Sequence, residues 1–243
     1  MSRERRYCGE PDIVGCEDCI ADLGGLLEED IPVRALVRRS SADLARSRRI
    51  VAPSRDAAQR LQRHFPTVRP EIVAWEDDAD LPEPGAPRHA GTRRICVVGA
   101  IGVEKGYDVL LGCVRDAARR QLPLEFVVCG YTADDARLLE AGPVFITGEY
   151  KEAEAIELIR SQAAHLAFIP SVWPETWCFA LSRAWQAGLM AVAFDLGAQA
   201  ERIRATGRGR LLPLGLSSRA VNDALLSLAP PKATSQSPPR PAS

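Results

Sequence analysis

The chain has 243 residues, of which 46% are hydrophobic, and its 31 Lys and Arg nearly balance its 32 Asp and Glu. This composition is typical of a globular protein with one large domain or two small ones. A formal net charge of -1 gives no electrostatic reason to expect nucleic acid as a partner. The first residues lack the apolar core of a signal peptide, and no apolar run approaches the ~20 residues of a transmembrane helix. We therefore expect a cytoplasmic protein without a transmembrane segment, and peripheral association with the inner membrane face stays open.

The front of the chain, residues 1–75, predicts a small α/β unit. Its predicted elements are a helical stretch that is clearest at 24–47, a short buried strand at 48–54, a helix at 55–65 and a strand at 70–75. Residues 76–92 are rich in Pro, Gly and acidic side chains, which indicates a linker. The Pro- and Ser-rich tail at 229–243 cannot bury a core and is predicted to be disordered.

Residues 93–228 alternate regularly between apolar runs and helical patterns. The predicted strands are 94–100, 124–130, 144–147, 165–170, 190–195 and 210–214. The predicted helices are 105–121, 132–140, 152–162, 177–187, 198–205 and 218–228. This alternation predicts a doubly wound, Rossmann-like parallel sheet with helices on both faces. Such sheets bind ligands at the carboxyl ends of their strands, so the loops after residues 99, 130, 148 and 170 are expected to form the site.

The first of these loops is "GAIGVEKGYDVLL" (99–111). Gly102 allows close approach of the backbone, and Lys105 stands at the predicted start of a helix, a combination that suits phosphate. The loop has neither the Walker spacing G-x-x-x-x-G-K-[ST] nor the dinucleotide spacing G-x-G-x-x-G. Taken alone, turn glycines beside a solvated lysine are the simpler interpretation.

The second loop carries Glu175 within "PSVWPETWCFALSRAW" (170–185). Its carboxylate can accept hydrogen bonds from hydroxyl groups. Just behind it, the amides of Trp177, Cys178 and Phe179 are predicted to open a helix and to face an anion. A polyhydroxyl ligand that carries phosphate, such as a nucleotide sugar, would suit this arrangement. Taken alone, a glutamate that favours the helix dipole is the simpler interpretation.

Considered together, these loops belong to an ordered series that resembles a known family. The series is "GAIGVEKGYDVLL", "LEFVVCG", "VFITGEY", "LAFIPSVWPETWCFALSRAWQAGLMAVAFD", "GAQAERI" and "GRGRLLPL". It is similar to the C-terminal, donor-binding domain of retaining glycosyltransferases of family 4, which have the GT-B fold. The string "WPETWCFALS" resembles bacterial members associated with surface-polysaccharide assembly. The resemblance implies a hexosyltransferase-type enzyme that needs no metal or cofactor and uses a nucleotide-sugar donor and a polysaccharide or lipid-linked acceptor.

The resemblance also implies roles for individual residues. Lys105 would contact the donor diphosphate, Glu175 would bind sugar hydroxyls, and the amides after Glu175 would hold phosphate. Gly130 would lie where the nucleotide base and ribose pass. Glu201 falls where the family often has a glutamate after a Gly-rich turn.

Two positions depart from the family pattern. Arg183 replaces the second glutamate, which the family usually assigns to the ribose, and Ala100 stands where the family has a diphosphate-clamping arginine. A guanidinium cannot accept hydrogen bonds from ribose hydroxyls, although it can pair with phosphate or an acid. On a continuous helix, Glu175 and Arg183 would share a face. Arg183 would then be either a compensating phosphate contact or a drifted position, and we favour drift.

A complete enzyme of this kind has a first Rossmann-like domain that holds the acceptor. Only 92 residues precede the predicted donor domain, and "RRIVAPSRDAAQRL" (48–61) resembles the end of such a domain. We therefore interpret residues 1–75 as a remnant of an N-terminally truncated enzyme, or as part of a split one that pairs with a separate acceptor-domain subunit. A catalytically impaired remnant is the alternative. A Rossmann-like oxidoreductase is disfavoured, because the dinucleotide glycines are absent.

Three of the seven cysteines cluster at the front, at Cys8, Cys16 and Cys19. The C-x₂-C spacing suits structural zinc, but a closed site usually needs four ligands. We therefore prefer reduced thiols and expect no metal. An odd cysteine count in a cytosolic protein also argues against a disulfide framework.

Overall fold

The structure is a computed structural model that describes residues 7–25, 27–85 and 91–228. Its front elements are α1 (Ile13–Leu23), α2 (Val33–Arg46), β1 (Val51–Ala52), α3 (Arg55–His64) and β2 (Glu71–Ile72). The predicted helical stretch at 24–47 is interrupted, because α1 ends before Gly24 and α2 starts only after Pro32. Proline fixes its φ angle and lacks an N–H, so it suits the position just before a helix. The predicted disordered tail at 229–243 lies outside the described residues.

The main sheet has six parallel strands in the order β5-β4-β3-β6-β7-β8. The strands are β3 (Arg93–Ile101), β4 (Leu124–Thr132), β5 (Val144–Ile146), β6 (Leu166–Ile169), β7 (Ala191–Phe194) and β8 (Gly209–Leu212). Residues 95–98 and 166–169 are buried throughout, as expected for strands that helices cover on both faces. The predicted α/β class with a doubly wound parallel sheet is confirmed.

Helices cover both faces of this sheet. They are α4 (Tyr107–Arg120), α5 (Asp135–Leu139), α6 (Ala155–Ser161), α7 (Phe179–Gln186), α8 (Gly197–Thr206) and α9 (Ser218–Ser227). Apolar residues of α4, α5 and α9 share one core cluster with strand residues such as Phe126 and Phe168. On the other face, α7 and α8 pack through Leu181, Trp185 and Ile203. Within the described residues, no helix is long and apolar enough to cross a membrane.

Several predicted helices begin later than the sequence pattern indicates, and two of these lie at the expected site. The helix predicted to start at residue 105 starts at Tyr107, so Lys105 lies in the preceding turn. The helix predicted at 177–187 starts at Phe179, and its N-cap residue Cys178 has a left-handed φ of 75°. Trp177 and Cys178 therefore precede α7 instead of opening it. A residue with a side chain rarely adopts this conformation, which explains why the pattern did not reveal the break.

The strand order reverses between β3 and β6. From β3 the chain adds β4 and β5 on one side, and it then crosses over to add β6, β7 and β8 on the other side. Loops that leave the carboxyl ends of two such neighbouring strands diverge and open a crevice, where ligands of doubly wound sheets bind. In this chain those loops are residues 102–106 and 170–178, the two that the sequence singles out.

The segment predicted as a linker, residues 76–92, is described up to residue 85, and this part contacts the large domain. Gly85 N donates to Gly188 O at 2.9 Å, and the Arg208 guanidinium donates to Leu81 O at 2.9 Å. Residues 76–85, which we call the connecting segment, thus run along the side of the domain that α7 and α8 cover. Residues 86–90 lie outside the described part of the chain.

Candidate ligand-binding site

The loops after β3 and β6 are joined by backbone contacts. Val172 N donates to Glu104 O at 3.0 Å, and Ser171 Oγ donates to the same oxygen at 3.2 Å. Gly106 has a φ of 86°, and a Cβ at this position would lie 2.0 Å from Pro170 O. Only glycine permits both this conformation and this approach. The two loops consequently have a fixed relative position.

Lys105 and Glu175, which are 70 residues apart in sequence, meet across these loops. The distance from Lys105 Nζ to Glu175 Oε2 is 3.4 Å, and the lysine side chain is 43% exposed against 16% for the glutamate. A long ion pair with one exposed partner contributes only about 0–1 kcal/mol, so the ammonium can move to another anion at little cost. The crevice therefore presents a mobile cation beside a largely buried carboxylate.

The end of the second loop leaves backbone donors available. The amides of Trp177, Cys178 and Phe179 donate to no acceptor in the part of the chain that the structure describes. The first amides of a helix have no partner within the helix, and Phe179 is the first residue of α7. Burial raises the pKa of the Cys178 thiol, and the nearby Glu175 carboxylate raises it further. The thiol is therefore neutral, and Cys178 contributes to the site through its backbone.

The N-terminus of α8 supports the same loop. Ala198 N donates to Glu175 O at 3.0 Å. Gly197 has a φ of 66°, and a Cβ there would lie 2.7 Å from Glu175 N. This close approach fixes the backbone that carries the Glu175 carboxylate.

The glycines of the site lie near the carboxyl ends of β3 and β4. Gly130 is paired in register with Gly99, and its amide donates to Thr147 Oγ1 at 3.0 Å. Gly102 O accepts from Tyr107 N at 3.0 Å, which closes the turn into α4. Gly102 thus belongs to a loop that lines the crevice, whereas Gly130 lies on the neighbouring strand β4.

Arg183 does not share a helix face with Glu175, contrary to the sequence-based expectation. Because α7 starts at Phe179, Glu175 lies in the preceding loop and the eight-residue spacing does not bring the two side chains together. The Arg183 guanidinium donates to Glu76 Oε1 at 2.9 Å and also to Glu152. Neither partner is evident from the sequence pattern.

Glu76, in the connecting segment, supports the site although the sequence pattern does not single it out. Its carboxylate accepts hydrogen bonds from Trp177 Nε1 at 3.0 Å, from Ser182 Oγ and from Arg183. Burial alone would raise the pKa of Glu76, but these hydrogen bonds outweigh burial and lower it. The carboxylate is therefore ionised and holds the start of α7. In the sequence, Glu76 belongs to a run of three acidic residues at 76–78, which predicted a linker and no contact with α7.

Glu201 binds the front of the chain. Its two oxygens accept from the amides of Arg55 at 3.0 Å and Asp56 at 2.8 Å. A carboxylate at a helix N-terminus satisfies unpaired amides and favours the helix dipole. Glu201 therefore caps α3, so its carboxylate already has protein partners.

The three clustered cysteines, Cys8, Cys16 and Cys19, line a cavity of the front unit. Burial raises the pKa of Cys16, and the neighbouring Cys8 and Cys19 thiols raise it further. Among the described residues, no group of three or more His, Cys, Asp or Glu side chains is arranged to hold a metal ion.

The fold defines a class of protein, namely a doubly wound α/β domain with a candidate ligand site at the switch point of its sheet. Within that class, residues 92–229 match the family of group 1 glycosyl transferases, and the chain belongs to this family. No curated protein matches the chain significantly.

Several solved structures share the fold. Anabaena HepE in complex with UDP-glucose has a TM-score of 0.60 at 14% identity, and the match covers 78% of this chain and 56% of that one. A Staphylococcus aureus TarM variant with bound UDP has a TM-score of 0.60 at 13% identity, with 78% and 38% covered. Sucrose-phosphate synthase of Thermosynechococcus elongatus has a TM-score of 0.61 at 16% identity, with 85% and 55% covered. The chain thus matches a GT-B-type fold and spans between about two fifths and three fifths of these proteins.

Proposed function

We propose that residues 93–228 bind a nucleotide-sugar donor as the donor-side domain of a glycosyltransferase. In this proposal a hexosyl group passes, with retention of configuration, to a polysaccharide or lipid-linked acceptor in cell-surface polysaccharide biosynthesis in the cytoplasm. The proposal includes membership of family 4. The observation that carries it is the Lys105–Glu175 pair at the switch-point crevice.

The two side chains suit the two parts of such a donor. The Lys105 ammonium can turn from Glu175 to the diphosphate, where it would stabilise the negative charge that develops on the leaving group. Glu175 would then accept hydrogen bonds from sugar hydroxyls, because an ionised carboxylate only accepts. The open amides of Cys178 and Phe179 would add neutral donors to phosphate. This chemistry uses protein groups alone and needs no metal.

The solved relatives support this choice of ligand. Anabaena HepE was solved with UDP-glucose and the S. aureus TarM variant with UDP. UDP-glucose and UDP are therefore the probes of choice for this chain.

The alternative is a subunit of a split enzyme, or an impaired donor-domain remnant. The small β1–β2 sheet favours it, because two strands of two residues offer little surface for an acceptor. The structure of the GtfA/B complex matches this chain with a TM-score of 0.54 at 23% identity, covering 74% of this chain and 38% of that one. A separate acceptor-binding partner is part of this alternative.

Calorimetry with two ligands tests the donor site. Lys105→Ala is expected to weaken binding of UDP-glucose and UDP by at least about tenfold each, because both carry the diphosphate. Glu175→Ala is expected to weaken only UDP-glucose, because UDP lacks the transferred sugar. Arg219→Ala and Glu157→Ala, at exposed positions on α9 and α6, are charge-matched controls that should bind both ligands normally. Equal losses for both ligands in both crevice variants would refute the assignment.

A further inference from the structure

The carbonyl groups of residues 173–178, the part of the loop just before α7, are all occupied. Each carbonyl oxygen from Trp173 to Cys178 accepts at least one hydrogen bond. Ser171 and Gln199 donate to Trp173 O, and Arg60 donates to Pro174 O. Ala198 donates to Glu175 O, and Ser54 donates to Thr176 O. Arg202 donates to both Trp177 O and Cys178 O. The amides of residues 177–179, by contrast, have no acceptor within the described ranges. The loop thus satisfies its acceptors internally and leaves donors available to a ligand.

One side chain controls the last two of these carbonyls. Arg202 NH1 donates to Trp177 O and to Cys178 O, each at 3.1 Å. In a planar trans peptide, the C=O and the N–H point in opposite directions. Because Arg202 holds both oxygens on its own side, the amides of Cys178 and Phe179 point away from the guanidinium.

The Arg202 guanidinium is itself fixed on every side. It is 4% exposed and forms two hydrogen bonds with Asp78, at 2.8 and 2.5 Å. It also donates to Ser182 Oγ at 2.9 Å, and its centre lies 3.9 Å from the centroid of the Trp177 ring. A guanidinium has five donors in a rigid fork, whereas an ammonium is a compact point charge. Only an arginine can therefore form this whole set of hydrogen bonds at position 202.

The loop also needs an external restraint. Cys178 has a φ of 75°, a left-handed conformation that is unfavourable for residues with a side chain. The two hydrogen bonds from Arg202 to Trp177 O and Cys178 O lie on either side of the Cys178 Cα atom and hold its strained backbone. Without them, the peptides on either side of Cys178 could rotate toward the common regions of φ and ψ, and the direction of their amides would be lost.

We propose that Arg202 is a positioning residue for the donor-binding loop and that it aims the amides of Cys178 and Phe179 at a phosphate group of the ligand. This proposal rests on the function proposed above. Arg202 itself touches no ligand, because its side chain is buried on the far side of the loop. Donor groups that are oriented before the ligand arrives need no reorganisation when it binds, which is the condition for strong electrostatic stabilisation.

The variant Arg202→Lys tests this proposal, because lysine keeps the charge and the attraction to Asp78 but cannot form the fork. Binding of UDP, UDP-glucose and uridine is measured for the full chain by calorimetry and ligand-observed NMR. We expect affinity for UDP and UDP-glucose to fall about tenfold and affinity for uridine to stay unchanged, because only the phosphate ligands use the amides. Arg204→Lys, at an exposed position on the same helix, is the matched control and should change none of the three affinities.

The split between UDP and uridine separates positioning from a general loss of structure. If Arg202→Lys binds all three ligands as the unaltered chain does, or loses affinity equally for all three, the proposal is overturned. If the unaltered chain binds neither UDP nor UDP-glucose, the proposed function itself is refuted, and this result is distinct from a failure of the Arg202 proposal alone. If thermal unfolding shows that Arg202→Lys is not folded, Asp78→Asn replaces it. This change leaves Arg202 in place but weakens the contact that fixes its guanidinium. Asp78→Asn is expected to weaken UDP binding about threefold and to leave uridine unaffected, and an unchanged UDP affinity overturns the proposal.

Discussion

Arg183 is held by two carboxylates that come from distant parts of the chain. Its contacts with Glu76 and Glu152 leave its side chain 18% exposed. Drift and a compensating phosphate contact both stay predictions, because an arginine at a drifted position can also pair with nearby acids. In this structure Arg183 links the connecting segment to α7, so its first contribution is to the stability of the fold.

Arg183→Glu is therefore expected to lower the free energy of unfolding by about 2–4 kcal/mol, because it breaks a partly buried pair and brings like charges together. Urea denaturation measures this loss. Arg160→Glu, at a half-exposed position on α6 that is 4.0 Å from Glu157, is the control and should cost less than about 1 kcal/mol. The double variant with Glu76→Arg should regain part of the loss, because the two charges are exchanged. Normal stability together with tighter UDP-glucose binding would instead favour drift.

The residues of the site differ in how far the sequence could predict them. Lys105 and Glu175 follow two strands of a parallel sheet, and the topology of such sheets brings their carboxyl ends to one edge. Their meeting at 3.4 Å was therefore within reach of sequence reasoning. Glu76 and Arg202 were not, because their importance depends on the path of the connecting segment over α7 and α8. No periodic pattern encodes that path.

The strands and helices show a similar division. Each predicted strand of the main sheet is present, because a continuous apolar run is the direct signature of a strand buried on both faces. The start of α7 was misplaced by two residues, because the helical pattern continues through Trp177 and Cys178 while contacts from Arg202 and Glu76 hold these residues outside the helix. Those contacts come from elements that are distant in sequence.

The helix α3 adds a further contact between the front unit and the site. Ser54 Oγ, at its N-cap, donates to Thr176 O at 2.9 Å, and the Arg60 guanidinium donates to Pro174 O at 3.1 Å. Together with the cap that Glu201 forms on α3, these bonds join the front unit directly to the loop before α7. The front unit is therefore part of the support of the site.

The junction between the loops after β3 and β6 depends on Gly106. Gly106→Ala is expected to destabilise the fold by more than about 3 kcal/mol, because it adds a left-handed strain of about 1–2 kcal/mol and a clash with backbone at Pro170. Gly207→Ala is the matched control, since Gly207 has a φ of 68° but has open space around it. Gly207→Ala should therefore lower the free energy of unfolding only by the left-handed strain of about 1–2 kcal/mol. Thermal and urea unfolding compare the two variants, and equal losses would show that the close approach to Pro170 is unimportant.

The distribution of structure over the whole chain bears on catalysis. The described residues contain one six-stranded sheet with the candidate crevice, while the front contributes the two-stranded sheet β1–β2 and the helices α1, α2 and α3. Neither α1 nor α2 contains a buried residue. Under the proposal of a split or impaired enzyme, a partner would supply most of the surface that holds the second substrate.

Residues 1–243 are therefore expected to bind UDP-glucose but to transfer glucose slowly on their own, below about 0.01 per second, whereas typical enzymes reach about 1–1000 per second. Transfer requires that donor and acceptor be held together in a defined geometry, and such positioning supplies much of the rate of an enzyme. The measurement is release of UDP by the purified chain with glycan or lipid-linked acceptors, with Lys105→Ala as the blank for donor binding. A partner that supplies an acceptor surface should raise the rate of the unaltered chain but not that of Lys105→Ala. Rapid transfer by the chain alone would contradict this expectation and would show that its small front unit is sufficient to position the acceptor.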